Sequence, residues 1–199
     1  MLLSPKNMRR EVKRRKAVVI VKNPEAIRLL ADFTRTEILR LLSRKSMTET
    51  QLSKELGITK AAVGYHLHLL MKAGLIDICR TEAEKHGILQ KYYTTVASLF
   101  IVDPEKIPED AKRYFLQVQI EHLMGILSVF KLRHQLLQIS SEKLEELAKV
   151  MLEQLKIVGQ KYVDQEVETR DSESLEIKIY AEALARLTKQ REWRNIFKR

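Results

Sequence analysis

Cysteine is nearly missing from this chain: among 199 residues, Cys79 is the only one. A single thiol makes no intrachain disulfide, no CxxC pair and no thiolate-rich zinc site. Cys79 itself reads as a small residue packed in a strand, with a redox-sensing thiol or an intersubunit disulfide as the alternatives. Glycine and proline are scarce too, six and four in all, which favours long uninterrupted helices. The longest wholly apolar run, Ala17 to Val21, falls far short of a spanning helix, and Leu123 to Phe130 is broken by Gly125 and Ser128. The basic start is not followed by the apolar region and cleavage site of a signal peptide. Catalytic signatures are absent as well: there is no glycine-rich phosphate loop, no HExxH and no GxSxG. The adjacent Glu145 and Glu146 diverge on a helix, and Cys79 would need a positioned base to act as a nucleophile. These absences describe a soluble, cytoplasmic protein that is not an enzyme and uses no cofactor.

Positive charge is what the chain has in excess, +10 overall, and it is unevenly placed. Met1 to Lys22 holds eight Lys or Arg against one Glu, Asn23 to Phe100 eleven against eight, and Ile101 to Arg199 seventeen of each. One end is built to meet a polyanion and the other to meet protein. The basic arm, residues 1–16 with KNMRREVKRRK at its centre, reads as disordered or loosely helical. It could track phosphates or enter a minor groove, with Arg14 and Arg15 as candidate contacts, or simply be a solvated tail.

Thr48 to Leu75 reads as two helices joined by a tight turn. Thr48 and Gln51 form a capping box, Gly57 ends the first helix, Thr59 caps the second and Gly74 ends it. At about 100° per residue, Val63, Leu67 and Leu70 share one face of the second helix, with His66 at its margin. Ala61, Gly64, Tyr65, His68 and Lys72 point the other way. Small residues flanking a tyrosine suggest close approach to a partner surface, and the major groove of DNA fits that description.

Around this stretch, Ala17 to Val21 is a short β-branched strand, and Asn23 caps a helix whose first residue is Pro24. Thr34 and Glu37 make a second capping box, so helices are expected over Pro24 to Ala31, Arg35 to Ser43 and Glu49 to Leu56, with the recognition helix at about 60–73. Leu75 to Arg80 and Ile88 to Thr94 then read as a β-hairpin, a wing carrying Arg80, Lys85, His86 and Lys91 beside acidic Glu82 and Glu84.

DFTRTEILRLL (Asp32 to Leu42), MTETQLSKELGITKAAVGYHLHLLMKAGLI (Met47 to Ile76) and a wing ending in KYYTT together resemble the winged-helix domain of the ArsR type. The opening KAVVIVKNPE and the long helical tail are similar to archaeal regulators of that kind. The resemblance covers roughly Ala17 to Leu99 and is strongest from Thr59 to Leu75. It implies a DNA-binding transcription regulator. Phe33 stands where the family commonly has Pro. Metal-sensing members carry clustered cysteines before the recognition helix, or Asp and His on a C-terminal dimer helix, whereas Glu49 to Leu56 has neither Cys nor His. His66 and His68 point about 200° apart on a helix, and His122 and His134 also lie on different faces, so neither pair holds one ion. No metal site is expected.

The tail, residues 103–199, completes a division whose central unit is residues 17–102. From Glu109 to Ile139, the residues Phe115, Val118, His122, Gly125, Val129, Leu132, Leu136 and Ile139 recur at three and four, a heptad-like seam. Leu116, Ile120, Leu123, Leu127, Phe130 and Leu137 form a second apolar face. Leu144, Ala148, Met151, Leu155, Val158 and Tyr162 continue the spacing on a helix reaching about Glu168, and a last helix is expected over Ser174 to Phe197, although LEIKIY also fits a strand. The fold class is therefore mainly α with a small β-hairpin wing: a winged helix-turn-helix domain plus a C-terminal long-helix dimerisation region. Phe115, Val118, His122, Gly125, Val129, Leu132, Leu136, Leu144, Met151, Leu155, Val158 and Tyr162 are the expected dimer contacts, with a self-contained bundle as the alternative. On duplex DNA, Tyr65, His68 and Lys60 would line the major groove, with Ala61 and Gly64 allowing approach and Lys72 alongside. Thr48, Thr50 and Thr59 would bond phosphates from helix starts. Two other functions fit the same features: a winged helix that binds only protein, or a one-component sensor holding a small apolar ligand near Gly125, Tyr114, Phe115 and Phe130.

Overall fold

The computed structural model describes residues 14–83, 89–133, 139–168, 172–191 and 193. Its first element, β1 (Arg14–Val21), is the middle strand of a three-stranded sheet. The strand expected from Ala17 thus begins earlier and takes in Arg14, Arg15 and Lys16; the remainder of the basic arm lies outside the described residues. On one side β1 pairs in parallel with β5 (Ala97–Val102), Val18 opposite Leu99 and Val21 opposite Val102. On the other it pairs antiparallel with β6 (Glu166–Glu168).

Between β1 and β5 the chain makes the winged helix. Asn23 accepts from the N–H groups of Glu25 and Ala26 and starts α1 (Pro24–Leu30). Helix α2 (Phe33–Arg44) is capped by Asp32, whose carboxylate accepts from the Arg35 N–H at 2.9 Å. The expected Thr34 and Glu37 box does not form, because the chain turns helical before Thr34; Glu37 pairs with Arg40 instead. The two-residue β2 (Met47–Thr48) leads into α3 (Glu49–Leu56) and α4 (Lys60–Lys72). The wing is β3 (Ile76–Ala83) against β4 (Leu89–Thr95), with a register shift at Cys79. Cys79 is half-buried there and its Sγ lies 3.4 Å from the Tyr92 carbonyl oxygen.

After β5 come α5 (Glu109–Arg133), α6 (Ser141–Gly159) and, beyond β6, α7 (Ser172–Lys189). Helix α6 stops at Gly159, short of the expected Glu168, and the chain from Glu166 joins the sheet. The LEIKIY segment is helical. The stretch 134–138 and the residues after Trp193 lie outside the described residues.

Two apolar cores meet at the β1–β5 pair. Ile27, Ile38, Leu42, Leu52, Val63, Leu67 and Leu70 fill one, with Val21 and Val102 among them. Val18 and Ile101 belong to the other, with Leu123, Leu147, Met151, Val158, Ile179 and Leu187. A parallel pair covered on both faces reads as continuous β-branched sequence, which is what KAVVIV and LFIV are. Gly159 lets α6 approach this wall, since a Cβ there would overlap the Ile101 side chain.

Arg15 ties β1 to α2 and to the strands that close the winged helix. It is buried, and its guanidinium donates to Ser98 Oγ at 2.9 Å, to Thr95 Oγ1 at 2.7 Å, to the Leu42 carbonyl at 3.4 Å and to the Ser43 carbonyl. Leu42 and Ser43 lie in the last turn of α2, where carbonyls lack helical partners and carry the negative end of the dipole. Burial pushes the Arg15 pKa down, yet the four acceptors match the fork. Arg15 is therefore a structural anchor and not the phosphate contact expected of it. Arg15→Ala should cost about 2–4 kcal/mol by removing a buried hydrogen-bonded charge, lowering Tm by roughly 5–15 °C. Exposed Arg14→Ala should leave Tm nearly unchanged; thermal unfolding followed by circular dichroism compares the two.

Candidate nucleic-acid interface

The helix-turn-helix is held by its caps. Thr48 Oγ1 accepts from the Gln51 N–H at 3.2 Å and Gln51 Oε1 accepts from the Thr48 N–H at 3.0 Å, completing the expected capping box. Gly57 takes φ 67° and ends α3. Ser53 then donates from Oγ to the Ile58 carbonyl at 2.6 Å and closes the turn. Thr59 caps α4 by accepting from the Ala62 N–H. At the far end, Gly74 has φ 69° and the Leu75 N–H donates to the Leu70 carbonyl at 3.0 Å, the hydrogen bond of a Schellman end.

Val63, Leu67 and Leu70 are buried, as their spacing requires. Thr59, Lys60, Ala61, Tyr65, His68 and Lys72 are exposed on the opposite side, Tyr65 at 61%. Tyr65 meets the half-buried His66 edge-on, ring centroids 5.6 Å apart. Lys60–Lys72 contains no acidic residue. The outer face is therefore aromatic, small and basic.

One expected contact, Thr48, has another duty. Thr48 is 2% exposed and its hydroxyl is spent on the cap, so it does not face a phosphate. Gly64 is half-buried, and a Cβ there would meet the Glu49 carboxylate at 3.4 Å. Thr50, in the first turn of α3, is half-buried.

On the wing, Arg80 stacks over the Tyr92 ring, 3.8 Å from its centroid, and pairs with Glu82 at 3.2 Å. Its charge is partly answered within the hairpin. Lys91 is exposed on β4, Arg14 is exposed on β1, and Lys85 and His86 lie outside the described residues.

In the tail, Met151, Leu155, Val158 and Tyr162 are buried in this chain's own core, and Leu144 packs against it. Their three-four spacing is satisfied within one chain by α5 and α7, which corrects the expectation that they form an intermolecular seam. Phe115 packs on the first core, Val118 is half-buried, and His122 and Gly125 are exposed on α5. Leu136 and the side chains of Val129, Leu132 and Phe130 lie outside the described residues. Gly125 faces open space, whereas Tyr114 and Phe115, expected beside it, line a cavity against α2 and β5. Among the described residues, no group of three or more His, Cys, Asp or Glu could hold a metal ion, and no helix is long and apolar enough to cross a membrane.

Residues 32–77, from the Asp32 cap to the start of the wing, match the family model described as bacterial regulatory protein, arsR family. The match takes in α2, α3 and α4 whole, and the chain is a mainly helical protein with a winged helix-turn-helix. No curated protein matches the chain. Among solved structures it is similar to reduced HlyU from Vibrio cholerae N16961, at 20% identity over 50% of this chain and 84% of that one, TM-score 0.31. A second is the homodimeric winged helix-turn-helix DNA-binding domain of Mb0332 from Mycobacterium bovis, at 19% identity over 57% and 85%, TM-score 0.33. The adhesin competence repressor AdcR from Streptococcus pyogenes aligns at 21% identity over 64% and 80%, TM-score 0.31.

Because the Glu49 side chain is the nearest neighbour of the missing Cβ and can yield, Gly64→Ala should stabilise the fold by about 0.5–1 kcal/mol through helix propensity. Urea denaturation reads this as a higher midpoint at unchanged slope; a lower midpoint would mean that α3 and α4 cannot part.

Proposed function

We propose that the chain is a sequence-specific DNA-binding transcription regulator, cytoplasmic and acting as a homodimer. The outer face of α4 carries this reading. Tyr65 and His68 stand out from a helix free of carboxylates, on a scaffold whose α2–α4 match the arsR-family model. In the major groove, Tyr65 and His68 meet base edges and Ala61 lets the helix approach. Lys60 and Lys72 meet phosphates, joined by Thr59 and Thr50 from the helix starts. Lys91 and Arg14 add screened attraction to the backbone, and Lys85 and His86, between β3 and β4 in the sequence, would add more. Two copies related by a two-fold axis can place their α4 helices on half-sites one turn apart. The exposed α5 surface at His122 and Gly125 is the side we assign to that contact; light scattering should give twice the 23.3 kDa chain mass.

Tyr65→Ala should reduce the preference for an operator over random duplex by about 1–3 kcal/mol. Lys60→Ala should weaken both alike and reduce the salt slope by about one. Fluorescence anisotropy against labelled duplexes at several salt concentrations measures both. If Tyr65→Ala left the preference intact, α4 would be turned differently on the groove; no duplex binding at moderate salt would leave a protein-interaction module.

A further inference from the structure

A cavity of about 450 Å³ lies between the reading head and the tail. Helix α2 forms its head side, β5 its floor, and α5, α6 and α7 its tail side. Leu39, Phe100, Phe115, Val118 and Leu155 make most of the wall apolar. Its size falls within the range of small-molecule sites.

One group of polar side chains lies on the tail side, on α5 and α7; Thr36, Ser43 and Ser98 are on the α2 and β5 side. Gln119 is 2% exposed, and its Nε2 has no hydrogen-bond partner among the described residues. The other amide atom, Oε1, accepts from the Tyr180 hydroxyl over a long 3.4 Å, and that hydroxyl also lies 3.1 Å from His122 Nδ1. All three side chains line the cavity. A buried amide with an unused N–H costs stability unless something else uses it. A turn of the long glutamine side chain trades the weak bond to Tyr180 for an acceptor inside the cavity.

The charges at the rim offer an anion no partner, and the apolar wall makes any ion costly to bury. Arg40 is held by both carboxylate oxygens of Glu37, at 2.9 and 3.0 Å from its Nε. It has no free charge to offer an anion. Glu176 stands beside Tyr180 and, after burial, is the second cause that pushes the tyrosine pKa up to about 12. Tyr180 therefore keeps its proton at neutral pH.

From the unpartnered Gln119 amide in an apolar cavity, we infer that this site binds an uncharged, mostly apolar small molecule with one hydrogen-bond acceptor, such as a carbonyl, and that its occupancy is felt by the reading head. The second half rests on the DNA-binding reading. The route is α2, which lines the cavity with Leu39 and Arg40 while its Ile38 and Leu42 pack in the same core as Leu67 and Leu70 of α4. A ligand that fits one spacing of α2 from the tail better than another shifts the head's equilibrium, and DNA shifts ligand affinity by the same factor.

The probe is prodan, 6-propionyl-2-(dimethylamino)naphthalene, which is uncharged, apolar and carries one ketone. Titrated into the full chain, it should bind saturably at one per chain with blue-shifted emission. Val118→Trp, which fills the cavity, should abolish binding. Gln119→Leu should weaken it about five-fold while keeping or raising Tm in the ligand-free chain, a combination that loss of fold would not give. No saturable binding, or equal binding by all three proteins, overturns the site. In a second arm, saturating prodan should change the affinity for duplex DNA at least about five-fold. Duplex binding that prodan leaves unchanged overturns the coupling. A chain that binds prodan with the expected variant pattern and binds no duplex overturns the DNA reading and the coupling together, and supports the ligand class.

Discussion

The guanidinium of Arg15 is the contact on which the arrangement turns. Among the described residues, the four hydrogen-bond partners of this buried cation include no carboxylate: two hydroxyls and two carbonyls at the end of α2. Such a group is costly to bury unless most of its donors are used, and four of the five are. Here the donors run from β1 to α2, to Thr95 at the end of β4 and to Ser98 on β5. One side chain therefore fixes the strand that enters the winged helix, the helix at its back and the strand that leaves it. A second tie, 2.7 Å between Lys156 of α6 and the buried Asp103, pins the tail helices to the end of β5. Burial would raise the Asp103 pKa, but Lys156 and the Glu105 N–H outweigh it and hold the carboxyl below its usual range.

Head and tail are consequently not beads on a linker. The β1–β5 pair gives Val21 and Val102 to one core and Val18 and Ile101 to the other, so a displacement of the wall is felt on both sides. That shared wall makes the cavity beside it worth testing as a place where a ligand speaks to the head. The outer face of α4 is, by contrast, locally built: caps at Thr48 and Thr59 and left-handed turns at Gly57 and Gly74 set α4, and the basic residues then follow by helical spacing. Charge on the wing is weaker than a count suggests, because Glu82 and the Tyr92 ring already engage Arg80.

The elements legible in the sequence are those governed by neighbours within four residues. Caps, the buried stripe of α4 and the hairpin all depend on local spacing. Arg15 was not legible because a charge run looks the same whether its members face water or helix-end carbonyls; the alternation of KRRKAVVIV was the available signal, since it places Arg15 on the inner side with Ala17. Strand β5 carries the apolar run LFIV but was not expected, because its partner lies 81 residues earlier in sequence, Val18 opposite Leu99, and no periodicity encodes that. The same limit explains Met151 and Val158. A three-four stripe states that a helix face is covered without stating whether this chain or a second one covers it, and α5 and α7 turned out to do so. Gly64 is a smaller case: an outward-looking glycine by helical wheel is half-buried beside Glu49 once α3 is in place.

The central claim, that α4 reads duplex DNA as one of a symmetric pair, meets its most direct test in selection from a pool of random duplexes using the purified full-length chain. The account predicts an enriched palindromic consensus whose half-sites are about 10 base pairs apart, centre to centre. A pool that stays random through repeated rounds at moderate salt, or a single unrepeated half-site, would contradict it.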